Sequence, residues 1–361
     1  MNKHLQNERG AALMVTLGVV AILLTLGLRL AQLTGDAALH TSAKNDRLAA
    51  GELALSGIHL AMLILARDAA DNDTDSLQEA WADPDTIQQA VKDLGIDAGS
   101  LDLTISDELG KIQLNALLKQ FPGNEINPDQ QMVLERFLLL SLPSTRKDGS
   151  GGPVEIVNAV KDWLDSKDDD AVTGLSGAES DYYQALDPPR KCANGPFGRV
   201  EDLLNVKGMA KDRLTDPEGR PLELGEVFTV YGMIDLKNEG RYTFPGKINI
   251  NTAPLPVIAA LLPEGKELQA EDLAAYREER PGRQAPYTHI LEPGWWEKAL
   301  AFTEAEKAAF DRKITHSSHI FRADCQAVVN HCRIRLSGVI QREKEKETGK
   351  WISRMIQLER P

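Results

Sequence analysis

Asp162, Asp165, Asp168, Asp169 and Asp170 crowd five carboxylates into nine residues, and Glu179 and Asp181 follow shortly after. Like charges at that density repel one another unless a cation or open solvent offsets them. A hard cation such as calcium takes about six to eight oxygen ligands, many of them carboxylate. The spacing is not that of an EF-hand. Counted from Asp168, acids fall at the first, third and twelfth positions (Asp168, Asp170, Glu179), but Val172 and Thr173 stand where a ligand and a glycine are required. The residues therefore leave two readings open, a hard-cation site and a solvated acidic loop.

Other reactive side chains offer less. The cysteines are Cys192, Cys325 and Cys332, with no C-x-x-C to suggest a zinc site. Near the C-terminus the apolar pattern alternates strictly. It sets Phe321, Ala323, Cys325 and Ala327 on one face of a strand and Cys332, Ile334 and Leu336 on one face of the next. A turn near Val329–Asn330 could bring Cys325 opposite Cys332, as a disulfide or as two small buried thiols. His316, His319 and His331 read as surface and turn histidines. No G-x-S-x-G, H-E-x-x-H or phosphate loop occurs, so an enzyme is not expected. Trp295–Trp296 reads as the start of a helix packing into a core rather than as a docking patch. The net charge of −13 opposes a surface built for nucleic acid or anionic lipid.

These residues must be positioned by a chain that begins with a hydrophobic segment. Ala11 to Leu28 carries no charge; as a helix it would span ~27 Å, close to the hydrocarbon thickness of a bilayer. Lys3 and Arg9 precede it, which places the N-terminus in the cytoplasm and the rest outside. No small-residue cleavage site follows the apolar core. Instead Gly10 stands before it. A short basic leader, a glycine and an uninterrupted apolar helix resemble a type IV prepilin signal, which implies cleavage between Gly10 and Ala11 with the helix retained; a plain signal anchor is the alternative. Most pilins carry Glu at the fifth mature residue, here Val15. A carboxylate in an apolar bundle needs an opposite charge, which in such fibres is the N-terminal ammonium of the subunit ahead. A subunit with Val15 fits a fibre tip, where nothing lies ahead.

Helical periodicity continues to about Arg67. A short helix is capped by Asp83, with Pro84 at its first position and Gly95 beyond its end. Alternation around Leu101–Ile105 and Ile112–Leu114 predicts a β-hairpin. Helices follow from Asn127–Pro128 and from "GPVEIVNAVKDWLD", joined by the Gly/Ser-rich "STRKDGSGGP". "GRVEDLLNVKGM" reads as helix and turn, "EVFTVYGMIDL" and "GKININTA" as strands. Residues from Pro254 to Phe310 read as helical, and three strands end the chain. Strands split by helical blocks indicate an α+β fold with inserted helical modules.

Five motifs stand in order: "DELGKIQLN", "DWLDSKDDD", "GAESDYY", "NGPFGRVEDLLNVKGM" and "KININTA". Behind a prepilin-like leader they resemble the K-type minor pseudopilins of the type II secretion pathway, over nearly the whole chain. Gln113 and Arg190 depart from that pattern, where Asn and an aromatic would be expected. The resemblance implies a pilin-like long N-terminal helix packed on an antiparallel sheet, with a large inserted helical domain containing helix-hairpin-helix modules. The implied division is a leader (1–10), a transmembrane helix (11–30), the stem and first strands (31–115), the inserted helical domain (116–225), strands (226–251), a second helical module (252–312) and C-terminal strands (313–361). It implies a structural role at the tip of the periplasmic pseudopilus, with I-type and J-type minor pseudopilins. Further implied partners are the major pseudopilin, the prepilin peptidase and the inner-membrane assembly platform, with N-terminal methylation after cleavage. It also implies calcium near the acidic motifs, with Asp165, Asp168, Asp169 and Glu179 as ligands, Asp162 at the helix edge and Asp181 beside them. The competing resemblance is to DNA-uptake or type IV pilus minor pilins. "KININTAPLPVIAALLPEGKELQAEDLAAYREER" has a helix-hairpin-helix cast, but "LPEGKEL" lacks the paired glycines that let backbone amides approach phosphate.

Overall fold

The computed structural model describes residues 5–97, 99–142, 152–166, 172–174, 176–209, 214–216, 219–237, 240–282 and 285–360. One helix, α1 (Leu5–Asp71), runs through 67 residues, about 100 Å at ~1.5 Å per residue. Its described N-terminal half is exposed, including the whole apolar run. Its C-terminal part packs on a sheet through Ala50, Ala54, Ile58, Ala61 and Leu65, whose steps of three and four keep one face inward. Small residues let helix and sheet approach closely. A Cβ on Gly57 would stand 2.4 Å from the Cys325 Sγ, and one on Gly338 would stand 2.9 Å from Ile58.

Helix α2 (Pro84–Asp93) is capped by Asp83, whose side chain accepts from the Thr86 N–H. Strand β1 (Ser100–Asp107) follows, then β2 (Ile112–Gln113). The expected hairpin between them does not form. β1 instead pairs antiparallel with β8 (Ile320–Val329), Leu103 opposite Cys325. The sheet order is β1–β8–β9–β10, with β9 at Cys332–Lys344 and β10 at Trp351–Glu359. Alternation in "LDLTISD" marked a half-buried strand correctly, but local periodicity carries no information about a partner more than two hundred residues away.

Described residues between β1 and β8, from Ile112 to Ile314, form a second core. It contains α3 (Pro128–Ser141), α4 (Pro153–Leu164), α5 (Ser180–Gln184) and α6 (Leu224–Val227). Two short strand pairs tie it together. β2 runs parallel to β3 (Phe228–Thr229), and β6 (Ile248–Asn249) runs parallel to β7 (Ile314–Thr315). β4 (Ile234–Asp235) and β5 (Tyr242–Thr243) make an antiparallel pair. Helices α7 (Leu255–Leu261), α8 (Ala270–Glu278) and α9 (Glu304–Lys313) complete it. The segment "GRVEDLLN" is a single 3₁₀ turn at Val200–Asn205. Aromatic pairs fill this core, among them Phe137–Phe228 at 5.0 Å and Trp296–Phe310 at 4.9 Å between ring centroids. Trp295 and Trp296 are both buried, and Trp295 donates to the Asn251 side-chain oxygen Oδ1 at 2.7 Å. The loop "STRKDGSGGP" lies mostly outside the described residues.

The expected juxtaposition of Cys325 and Cys332 is overturned by register. Cys325 lies opposite Leu336 and Cys332 opposite Val329, because the turn is the tight two-residue Asn330–His331. The two cysteines are thus four positions apart along the ladder, ~13 Å at ~3.3 Å per residue, beyond the reach of a disulfide. Both are free thiols, as is Cys192.

Candidate functional site

The last turn of α4 delivers Asp162, and the residue that ends the helix is Asp165. Glu179 immediately precedes α5. The chain folds back between them, so that one carboxylate oxygen from each lies within 4.8 Å of the others. All three are buried, with 0%, 5% and 3% of their surface exposed. The loop geometry is held by Asp162 itself, whose carboxylate accepts the backbone N–H groups of Thr173 at 3.1 Å and Ala178 at 2.8 Å. Gly177 is required beside it, since a Cβ there would stand 1.9 Å from the Asp162 Oδ2. Trp163 stacks against Phe197 and meets Tyr183 edge-on, which fixes the end of α4 from below.

Two described lysines lie at this cluster. The Lys161 ammonium stands 3.4 Å from Asp165 and donates to the Thr173 hydroxyl at 2.7 Å. Lys207 is turned to the carbonyls of Ser176 and Gly177 at 3.1 Å and over the Tyr182 ring. Buried carboxylates in such proximity call for a cation. An oxygen-only donor set whose atoms lie less than 5 Å apart suits a calcium-sized ion, whose ligand bonds are about 2.3–2.6 Å. Of the residues expected at such a site, Asp162, Asp165 and Glu179 are brought together. Asp168 and Asp169 lie outside the described residues. Asp181 is exposed in the first turn of α5 and is not in the cluster. Asp162, expected at the helix edge, lies in the last turn of α4 and is fully buried.

A second acidic group was not anticipated. Asp68 near the end of α1, Asp75 and Glu79 gather together, and Arg342 of β9 pairs with both aspartates. The buried guanidinium donates to the Leu65 carbonyl at 3.2 Å, to Asp68 at 2.8 Å, to Asp75, and to the Ser318 carbonyl at 2.7 Å. Arg342 thereby supplies the cation internally and clasps the stem helix to the sheet. Burial, and then the neighbouring Asp68 charge, pushes the Glu79 carboxyl up to about 8; Trp81 donates to it at 2.7 Å. Nothing in the local sequence marks Arg342, whose role depends on three distant segments.

The motif pair "DELG" and "KININTA" meets at a third buried node. Asp107 accepts from Ser318, Thr252 at 2.6 Å, Asn249 at 3.0 Å and the Leu109 N–H at 2.7 Å. Burial pushes its carboxyl up to about 6 against those donors. Glu108 beside it is paired with Lys111 at 2.8 Å and Arg322 at 2.7 Å. Gln113, the departure from the expected Asn, donates to the Tyr231 carbonyl, and its side-chain oxygen accepts from the Asn115 N–H. These motifs join sheet to insert.

Gly10, Ala11 and Val15 all lie on the exposed, continuous part of α1, and Val15 is 64% exposed. The helix is long and apolar enough to cross a membrane once.

Comparison with known proteins agrees with this architecture. Residues 110–216 match the model of the first domain of type II secretion system protein K. Type II secretion system protein K of Pectobacterium carotovorum subsp. carotovorum is 29% identical over 209 residues, covering 57% of this chain and 60% of that protein. A putative type II secretion system protein K of Escherichia coli K12 is 27% identical over 213 residues, covering 57% and 59%. The chain thus aligns with about three fifths of the length of these relatives. Among solved structures, the GspK-GspI-GspJ complex of the enterotoxigenic Escherichia coli type 2 secretion system contains a chain with the same fold. It superposes with a TM-score of 0.58 at 16% identity, over 89% of this chain and 99% of that one.

Proposed function

We propose, from the premise that this chain belongs with the type II secretion system K proteins, that it is a minor pseudopilin at the tip of a periplasmic pseudopilus. The observation that carries this is the union of two parts in one chain. A K-family domain is inserted between β1 and β8 of a sheet laid against a long helix whose free end is apolar. In this reading α1 is first a single-pass inner-membrane anchor, with its N-terminus cytoplasmic, and then the stem within a fibre. The leader through Gly10 is removed. The bulky insert blocks addition of a subunit above, and the neutral Val15 agrees with having none to pair with.

The role is mechanical, and no catalysis is assigned to it. Partners in this reading are I-type and J-type minor pseudopilins. Calcium held by Asp162, Asp165 and Glu179 would close the α4–α5 loop; the ion's chemistry there is electrostatic crosslinking of carboxylates. The α7–α8 unit, turning through Gly265 at positive φ, reads as a helix-hairpin packing module rather than a phosphate-binding one. Mass spectrometry of the mature protein tests the whole proposal. A start at Ala11, and co-purification with I-type and J-type pseudopilins, is the expected result. An intact Met1, or a cut after the apolar run, would remove it.

A further inference from the structure

A trough runs between the outer face of the sheet and the insert. Its main part is a cavity of about 780 Å³ that includes Leu77, Ala82, Val200, Tyr231 and Pro254 in its lining. It continues past Leu77, Thr252 and Pro254 into a second depression of about 530 Å³ beside α7 and α8. The two share those three residues, so they form one extended channel with an apolar floor.

The charges along it are unbalanced in one direction. Every cation lining it is already engaged within the protein. Lys111 and Arg322 pair with Glu108, Arg199 with Glu359 at 3.6 Å, and Arg277 with Glu278 at 2.7 Å. The acids Glu201, Glu223, Glu226, Asp324 and Glu271 line the same channel. They are exposed and form no ion pair among the described residues. They come from both walls, Asp324 from β8 and the three glutamates 201, 223 and 226 from the insert.

We propose that this trough is a docking groove for a basic segment of a partner protein, with lysine or arginine side chains interleaved with apolar ones. The floor takes the apolar residues, and the two acidic walls take the cations. Charge complementarity of this kind raises the rate of encounter and selects the register of the bound segment. Because the cations of the groove are neutralised internally, an acidic segment would meet uncompensated like charge on both sides.

The experiment uses the full chain in non-ionic detergent and a fluorescein-labelled octapeptide of alternating Lys and Ala, with a Glu–Ala octapeptide as control. Fluorescence anisotropy at low salt reads the dissociation constant. The triple reversal Glu201→Lys, Glu223→Lys, Glu226→Lys is expected to weaken Lys–Ala binding on the order of tenfold or more. The triple Gln variant, a milder change at the same exposed positions, is expected to fall between. A control reversal of equal charge at residues that do not line the groove (Glu304→Lys, Asp311→Lys, Glu347→Lys) should leave binding within about twofold. Equal loss in the groove and control reversals, or no binding by the unaltered chain, overturns the proposal.

Discussion

The Asp107 carboxylate and the Asn249 amide meet at 3.0 Å across 142 residues of chain. Asn249 also donates to the Asp75 carbonyl and the Ser318 hydroxyl, so one amide links the loop after the stem, the end of β1, and the turn into β8. Replacing Asn249 by Ala removes a buried amide shared by these three acceptors, of which Asp107 keeps Ser318, Thr252 and the Leu109 N–H. A loss of about 3 kcal/mol or more in urea unfolding is expected, against less than about 0.5 kcal/mol for an exposed control such as Glu304→Ala.

Gly57 has no room for a side chain. Its Cβ would meet the Cys325 sulfur at 2.4 Å and Leu101 at 3.2 Å. Gly57→Ala should cost about 1–3 kcal/mol by overpacking, despite the better helix propensity of Ala. Adding Cys325→Ala removes the sulfur and should recover much of the loss. A thermal melt of the double variant no better than that of Gly57→Ala would show that the sulfur is not the obstacle.

Glu79 makes stability depend on pH in an unusual direction. Its carboxyl is raised to about 8 in the fold, from an ordinary value of 4.5. The folded state therefore holds the proton more tightly, and Glu79's contribution to stability is lost as pH rises from about 4.5 to about 8. Glu79→Gln mimics the protonated form. It should flatten the decline over that window and melt higher than the unaltered chain at pH 8.5. Superimposable pH profiles would contradict this.

Calcium, if bound by Asp162, Asp165 and Glu179, should stabilise the fold by mass action, about 2.7 kcal/mol at a hundred times Kd. Chelation should therefore lower Tm, and Asp165→Asn should abolish the difference between calcium and chelator. Identical melts with and without calcium in the unaltered chain would exclude a bound structural ion.

The thiols should differ sharply in access. Burial pushes the Cys325 thiol up to about 12, and it lies under α1, whereas Cys332 is half-exposed beside the turn. Maleimide labelling of the native protein should modify Cys332 and spare Cys325 and Cys192 until denaturant is added. Under oxidising conditions no Cys325–Cys332 bridge should appear in a peptide map.

Sequence alone determined what depends on neighbours along the chain. The uncharged run from Ala11 to Leu28, the Asp83 cap, the Asn127–Pro128 helix start and the alternation of the last strands are all local patterns. The order of motifs carried the resemblance to the type II secretion system K proteins. Pairing and charge compensation were decided by the tertiary structure. Register separated Cys325 from Cys332 because the two-residue turn falls at Asn330–His331, one residue beyond the turn expected near Val329–Asn330. β1 found β8 rather than β2, because hydrophobic burial against α1 outweighed sequence proximity. Asp162, expected at the helix edge, is buried with Asp165 and Glu179 because Gly177 leaves room for its carboxylate. Arg342 became the clasp of the stem only when Asp68 from the α1 end and Asp75 from the following loop met it in buried surroundings, where a guanidinium is needed to hold them.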